Sequence, residues 1–302
     1  MTTENPRIAA VVVLYQPGPE VIDNIRTWTG QVEMVYAVDN TETQGLEGRD
    51  WGLGTGGFES RYWGLEAGDS GLKNVKYLPQ GGNVGIARAL NIGAARAFAA
   101  GYDLLLTMDQ DSRAEPGMVA KLLECRGAEG EGAVAIVAPF HMTRAVRRPP
   151  PREACTEVMT PMTSGCLLDL AVWQIAGQFR DDFFIDFVDN EYCLRLRREG
   201  YRVLRANRAI LEHAVGDITR YGPIIATNHS PLRRYYKTRN RFVVNREYRR
   251  DFPLHCLIDR IRMMKEIGSI VLFEDEKWAK LWMMWRGWRD YRKGHMGKLV
   301  LR

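Results

Sequence analysis

Apolar residues fill almost every position from Ile8 to Tyr15, in the run IAAVVVLY, which breaks at Gln16 and Pro17. A strand covered on both faces of a parallel sheet reads this way, because neither face has to meet water. Val21, Ile25 and Trp28 then recur at helical spacing, and EMVYAVDN returns to an apolar run ending in Asp39 and Asn40. These segments predict a βαβ unit. The Gly- and Trp-rich stretch from 45 to 71 reads as a long surface loop, KNVKYLP as a third strand, and NVGIARALNIGAARAFAAG as a helix over about 83–100. DLLLTMDQDS, residues 103–112, is the next strand; a helix and the strand AVAIVAPF extend the alternation, and the Pro/Arg-rich segment 144–153 marks a loop. Strands alternating with helices predict a doubly wound α/β sheet. Ligands on such sheets bind at the carboxyl ends of the strands, and Asp39, Asn83 and the pair Asp109 and Asp111 all fall at or just beyond predicted strand ends.

At 302 residues, 45% hydrophobic and 26% charged, the chain has the make-up of an ordinary globular protein, with room for one large α/β domain or two small ones. Its net charge of +5 is mild and no long block of Lys or Arg stands out, so no nucleic-acid partner is expected; the balance suits a polyanionic substrate or an anionic membrane surface. The five cysteines, Cys125, Cys155, Cys166, Cys193 and Cys256, are scattered and never form Cys-x-x-Cys. That pattern speaks against a zinc ribbon, a thioredoxin-like site or a disulfide framework, and for a reducing cytoplasm. No basic stretch precedes the first apolar run as in a secretory leader, and no segment has the length of a transmembrane helix, so a soluble or peripherally attached protein is expected.

Two aspartates one residue apart at a strand end repel each other unless a cation sits between them. Asp109 and Asp111 read either as a solvated turn or as ligands of Mg²⁺ or Mn²⁺, hard cations that take carboxylate oxygens and share their remaining positions with phosphate oxygens. In a strand both side chains would leave on the same side. The first strand-to-helix connection, YQPGPE, lacks Gly-x-Gly-x-x-Gly, and no Gly-x-x-x-x-Gly-Lys-Ser/Thr loop occurs, so NAD enzymes and P-loop kinases are poor candidates. A nucleotide held another way remains, with Asp39 accepting hydrogen bonds from a base or ribose and the GGNVG turn, residues 81–85, allowing close backbone approach; the same turn serves equally as a plain helix start.

In RDDFFIDFVDNEYCLRLRREG, residues 180–200, Asp189 stands near a helix start with Cys193 and Leu196 facing inward and Arg195, Arg197 and Arg198 outward. A carboxylate there serves as general base toward an acceptor hydroxyl or merely as a cap, and the cap reading fits Asp186 or Asn190 as well. His213 is either a structural histidine or a third metal ligand beside the two aspartates. HSPLRRYYKTRN spaces His229, Arg233, Arg234, Lys237 and Arg239 along a helix, either as a solvated basic face or as cations for a diphosphate leaving group.

Taken in order, VVVLYQP, YAVDN, GGNVGIARALNIG, LLTMDQDS, MTSGCLLD, GQFRDDFFIDFVDNEYCLRLRREGY, ILEHAVG and RRYYKTRN resemble the blocks of inverting family 2 glycosyltransferases of the GT-A fold, over about residues 8–242. The likeness is greatest to bacterial rhamnosyltransferases that use dTDP-L-rhamnose in polysaccharide assembly, through DQDS, FFIDFVDNEYCLRLR and YYKTRN. The resemblance implies a Rossmann-like mixed sheet flanked by helices over 1–250, with a nucleotide-sugar half to about 112, an acceptor and catalytic half over 113–250, and a helical extension over 251–302. It implies Asp189 as general base, and Tyr15, Asp39, Asn83, Gly85, Asp109 and Arg239 around the nucleotide sugar. It likewise implies Asp109, Asp111 and His213 at an Mg²⁺ or Mn²⁺ ion. Val188 stands where the family carries Glu before the catalytic aspartate. The implied donor is dTDP-L-rhamnose and the implied acceptor a saccharide or lipid-linked saccharide of a cell-envelope polysaccharide such as O-antigen. The expected location is the cytoplasm or the inner face of its membrane.

The stretch EDEKWAKLWMMWRGWRDYRK, residues 274–293, puts Trp278, Leu281, Trp282, Trp285 and Trp288 on one helical stripe with Lys280, Arg286, Arg289 and Arg292 around it. Such a stripe packs on the protein's own body or in a homodimer, or lies on a membrane with its cations against anionic headgroups. Other functions remain in view: a family 2 transferase using a UDP-sugar, a nucleotidyltransferase, and a non-catalytic sugar-nucleotide-binding or scaffold protein. A nucleotidyltransferase would want a Gly-rich basic loop after the first strand, which is absent, and the retained aspartates argue against a scaffold.

Overall fold

The computed structural model describes residues 5–42, 72, 74–128, 133–143, 149–213, 219–221, 224–226 and 228–300; the loop expected over 45–71 lies outside them, as do 144–148. Strands β1 (Ile8–Leu14), β2 (Met34–Asp39), β3 (Val75–Pro79), β4 (Leu104–Asp109), β5 (Ser112–Ala114), β6 (Val134–Thr143), β7 (Cys155–Glu157), β8 (Cys166–Asp169) and β9 (Arg202–His213) form one sheet. Its order is β3, β2, β1, β4, β8, β6, β9, β5, with β7 also against β9. Around it lie α1 (Val21–Thr29), α2 (Ile86–Ala99), α3 (Met118–Ala128), α4 (Leu170–Ala176) and α5 (Val188–Arg198). The chain continues through a hairpin of β10 (Thr219–Tyr221) and β11 (Ile224–Ala226) to α6 (Pro231–Tyr248), α7 (Pro253–Phe273) and α8 (Lys277–Lys293).

The apolar run of β1 shows why this sheet is covered twice. Its side chains alternate faces: Ala9 and Val11 join Ala87, Leu90 and Ala94 of α2, while Ala10, Val12 and Leu14 join Val21, Ile25 and Trp28 of α1. Small residues let α2 come close, and a Cβ on Gly93 would sit 2.2 Å from the Val11 side chain. β1 is parallel to β2 and β4, with Leu14 opposite Asp39 and Val13 opposite Asp109, so both carboxylates emerge at one end on either side of β1. β8 then runs antiparallel to β4 and β6, which makes the sheet mixed.

α6 and α8 pack closely because α8 presents Gly287, where a Cβ would come within 2.5 Å of the Tyr235 carbonyl oxygen. Buried ion pairs tie α6 to its neighbours. Arg234, 1% exposed, pairs with Glu266 and Glu274, while Arg241 pairs with Asp259 at 3.2 Å and Lys280 with Glu274 at 2.9 Å. Burial alone would raise the Glu266 carboxyl, but Lys237, Arg241 and Arg234 hold it down at about 2.

Three expectations change. α2 begins at Ile86 rather than near 83, because Gly85 has φ +89° and Asn83 and Val84 belong to the turn before it. Cys125 of α3 and Cys155 of β7, with Cα atoms 5.7 Å apart, are joined as a disulfide, against the expectation of none; α3 and β7 both pack on β9, which their separation of 30 residues hides. Arg195 and Arg197 of α5, expected in solvent, instead pair with Glu191 and Glu157.

Candidate active site

The site is built where β1, β2 and β4 end. Asp39, buried, accepts hydrogen bonds from the Tyr77 hydroxyl at 2.7 Å and from the Thr41 N–H at 2.8 Å. Asn83 Oδ1 accepts the Gly85 N–H at 3.0 Å and so shapes the turn before α2. Gly85 must be glycine on two counts: its φ is positive, and a Cβ would sit 2.7 Å from the Phe184 carbonyl oxygen.

Asp109 is the last residue of β4, and Asp111 lies in the turn to β5 rather than in a strand, so strand alternation does not set their relation. The residue between them has its own task. Gln110 accepts the Tyr15 N–H at 2.8 Å and donates to the Tyr15 carbonyl at 3.1 Å, tying the aspartate turn to the end of β1. The Asp109 N–H donates to Ser164 Oγ, and Ser164 Oγ also meets Ser112 Oγ at 2.8 Å. His213 closes β9 directly opposite Ser112, one residue from Asp111; its side chain lies outside the described atoms.

The second acidic group stands on a strained segment. Phe184, Asp186 and Phe187 all have φ between +63° and +66°, a region that costs non-glycine residues about 1–3 kcal/mol each. α6 holds them there. Asn240 Nδ2 donates to the carbonyls of Phe183, Ile185 and Asp186, and Arg239 donates to those of Asp182 and Phe183. Arg239 is 1% exposed and also donates to the Gly297 carbonyl, so the residue expected beside a diphosphate is a clamp on this loop. Arg233, six positions earlier, is the α6 cation at the acids: it pairs with Asp186 at 3.2 Å and feels Asp109 and Asp189 as well.

Asp189 sits in the first turn of α5 and takes the Asn190 N–H at 2.8 Å, so it does part of a cap's work. Its environment goes further. Burial pushes its carboxyl up to about 6, against the hydrogen bond from Asn190, and the charges of Asp186 and Asp109 add to the rise. Asp189 also lines a small cavity of about 20 Å³ with Thr107, Pro161, Cys166 and Tyr192. On the other side of Pro161 a cleft of about 710 Å³ opens between His141, Met159 and Arg205 and the start of α7 at Pro253, Leu254 and Ile258.

The carboxylates of Asp109, Asp186 and Asp189 thus crowd one region with Arg233 as their near cation. Among the described residues no three His, Cys, Asp or Glu side chains converge as a ready-made metal cage. Two carboxylates completed by waters and diphosphate oxygens nevertheless suit a hard divalent cation, and the excess of negative charge is what such an ion would relieve. Sequence reasoning missed Lys298, whose amine lies 3.1 Å from Glu42 and 3.2 Å from the Asn83 carbonyl. The segment carrying it is pinned by Gly297 N–H to Asp182 O and Leu299 N–H to Tyr236 Oη, both 2.7 Å. Nothing in the local sequence signals this long-range return.

A mixed sheet with its parallel half ending in Asp39 and Asp109, followed by helices on one side, is the GT-A architecture. The chain superposes on Staphylococcus aureus TarS 1–349 in complex with UDP-GlcNAc with a TM-score of 0.61 at 12% identity, covering 96% of this chain and 81% of that one. GalNAc-T7 with UDP, GalNAc and Mn²⁺ matches with a TM-score of 0.54 at 11% identity, covering 78% and 48%. Residues 66–198 match Glycosyl transferase family 2. It is 31% identical over 191 residues to the dTDP-rhamnosyl transferase RfbF of Shigella flexneri, covering 58% of this chain and 64% of that protein. The chain spans less than two thirds of the length of the curated relatives it matches.

Proposed function

We propose that the protein is an inverting glycosyltransferase that moves L-rhamnose from dTDP-L-rhamnose to a hydroxyl of a saccharide or lipid-linked saccharide acceptor in cell-surface polysaccharide synthesis. The observation that carries this reading is Asp189, a buried carboxylate pushed up to about 6, lying within the field of Asp186 and of Asp109 at the end of a central strand. The likeness to RfbF supports the choice of donor. Asp189 takes the proton of the acceptor hydroxyl while that oxygen attacks the anomeric carbon, and the bond from that carbon to the diphosphate breaks on the opposite face, releasing dTDP. Asp39, Tyr15, Asn83 and Gly85 hold the nucleoside end, and Arg233 faces the diphosphate. Asp109 and Asp111, with His213, would hold an Mg²⁺ or Mn²⁺ ion, whose charge would offset that of the leaving group. The cleft beside Pro161 is the acceptor's place.

Calorimetric titration with dTDP, UDP and GDP, each with and without Mn²⁺, tests the reading. Metal-dependent binding with dTDP preferred, weakened by Asp111→Ala, is expected. A UDP preference would move the donor to another sugar, and an affinity indifferent to Mn²⁺ and to Asp111→Ala would remove the metal assignment.

A further inference from the structure

The charged side chains of α7 and α8 are sorted by face. Asp259, Glu266, Glu274 and Asp290 turn inward to Arg241, Arg234, Lys280 and Tyr235. Arg260, Arg262, Lys265, Arg292 and Lys293 are exposed, and the exposed acids Asp275 and Glu276 stand at the turn between the two helices. The outward surface of both helices is therefore basic: α7 and α8 carry nine Lys and Arg against three Asp and Glu, and those three acids face inward.

Between these cations both helices present apolar stripes. Leu254, Leu257, Ile261, Met264 and Leu272 recur on one face of α7 and are 49–68% exposed. On α8, Trp278, Trp282, Trp285 and Trp288 are 85%, 53%, 50% and 40% exposed, while Met283, Met284 and Gly287 pack on the body. The tryptophan stripe thus does not serve the protein's own core. Three of its indoles carry a guanidinium one turn on: Arg286 over Trp282, Arg289 over Trp285 and Arg292 over Trp288, at 5.3–5.8 Å.

Large exposed apolar surface calls for a cover, and charge decides which. A second copy would set these cations against their own kind, with the matching acids buried in each protomer. Anionic headgroups would neutralise them, and an indole flanked by Arg suits the boundary of headgroup and hydrocarbon. We propose that α7 and α8 form a docking face for an anionic lipid bilayer. Leu254 and Ile258 of α7 also line the cleft beside Pro161, so docking would bring the bilayer to that cleft, the acceptor's place in the function proposed above.

The test is co-sedimentation of the full chain with vesicles of phosphatidylcholine alone or mixed with phosphatidylglycerol, at low and high salt. It needs neither donor nor acceptor, so this proposal and the transferase reading fail separately. Binding to the mixed vesicles only, with blue-shifted indole emission and release by salt, is expected. Arg292→Gln with Lys293→Gln should weaken it about fivefold per cation removed, and Trp282→Ser with Trp285→Ser should abolish it at an unchanged melting temperature. Absence of binding to mixed vesicles, or equal binding to neutral ones at any salt, overturns the proposal. So does a dimer in sedimentation velocity that Trp282→Ser dissolves, which would give the face to a second copy.

Discussion

Asp189 carries the sharpest consequence at the scale of a single residue. In the proposed reading Asp189 is the general base and must be ionised, so transfer should rise with pH through about 6 and level off above it. The same shift works against folding: the folded state holds this proton more tightly than the unfolded chain, so stability is lost as pH climbs from the ordinary carboxylate range through about 6. Asp189→Asn should therefore lower kcat by about 10²–10⁴-fold and, at pH 8, raise the melting temperature while leaving dTDP binding intact. Equal activity in the variant would take the base role from Asp189. The aspartates themselves were legible in the sequence, since carboxylates at strand ends and helix starts leave a local signature. The rise of Asp189 was not, because it depends first on burial that only packing creates and then on the charges of Asp186 and of Asp109, 80 positions away in the chain.

At the scale of elements, α6 and the loop before α5 act as one unit. The stretch HSPLRRYYKTRN presents a row of cations in the sequence, yet Arg239 and the neighbouring Asn240 spend their donors on main-chain carbonyls of residues 182–186. Those bonds hold three left-handed residues in place, each of which would otherwise relax. Asn240→Ala removes the amide whose two N–H groups serve three main-chain carbonyls and should cost about 2–4 kcal/mol in urea unfolding. It should also reduce kcat without a matching rise in donor KM, because Asp186 and Asp189 lose their fixed position. A drop in stability with unchanged kcat would make the clamp structural alone. Periodicity located α6 and α5 but carried no sign that one restrains the entrance to the other.

Across the whole molecule, the segment after α8 returns to the strand ends that carry Asp39 and lays Lys298 between Glu42 and Asn83. In the proposed reading its amine faces the bound nucleotide, so Lys298→Ala should weaken dTDP binding about tenfold, the loss of one charge-assisted hydrogen bond. The half-exposed side chain makes a change in melting temperature unexpected, and unaltered dTDP affinity would detach the segment from donor binding.

The sequence by itself determined the alternation of strands and helices, the double covering of the sheet and the places where carboxylates meet strand ends. Each of these follows from side-chain periodicity and local backbone preference, which act over a few residues. Only the tertiary structure decided which cations serve the site and which serve the scaffold, turning Arg239 inward and leaving Arg233 and Lys298 at the crevice. It alone paired Cys125 with Cys155 and turned the tryptophan stripe of α8 to the outside. These outcomes depend on what lies across from a residue after folding, and burial and charge pairing act through space rather than along the chain.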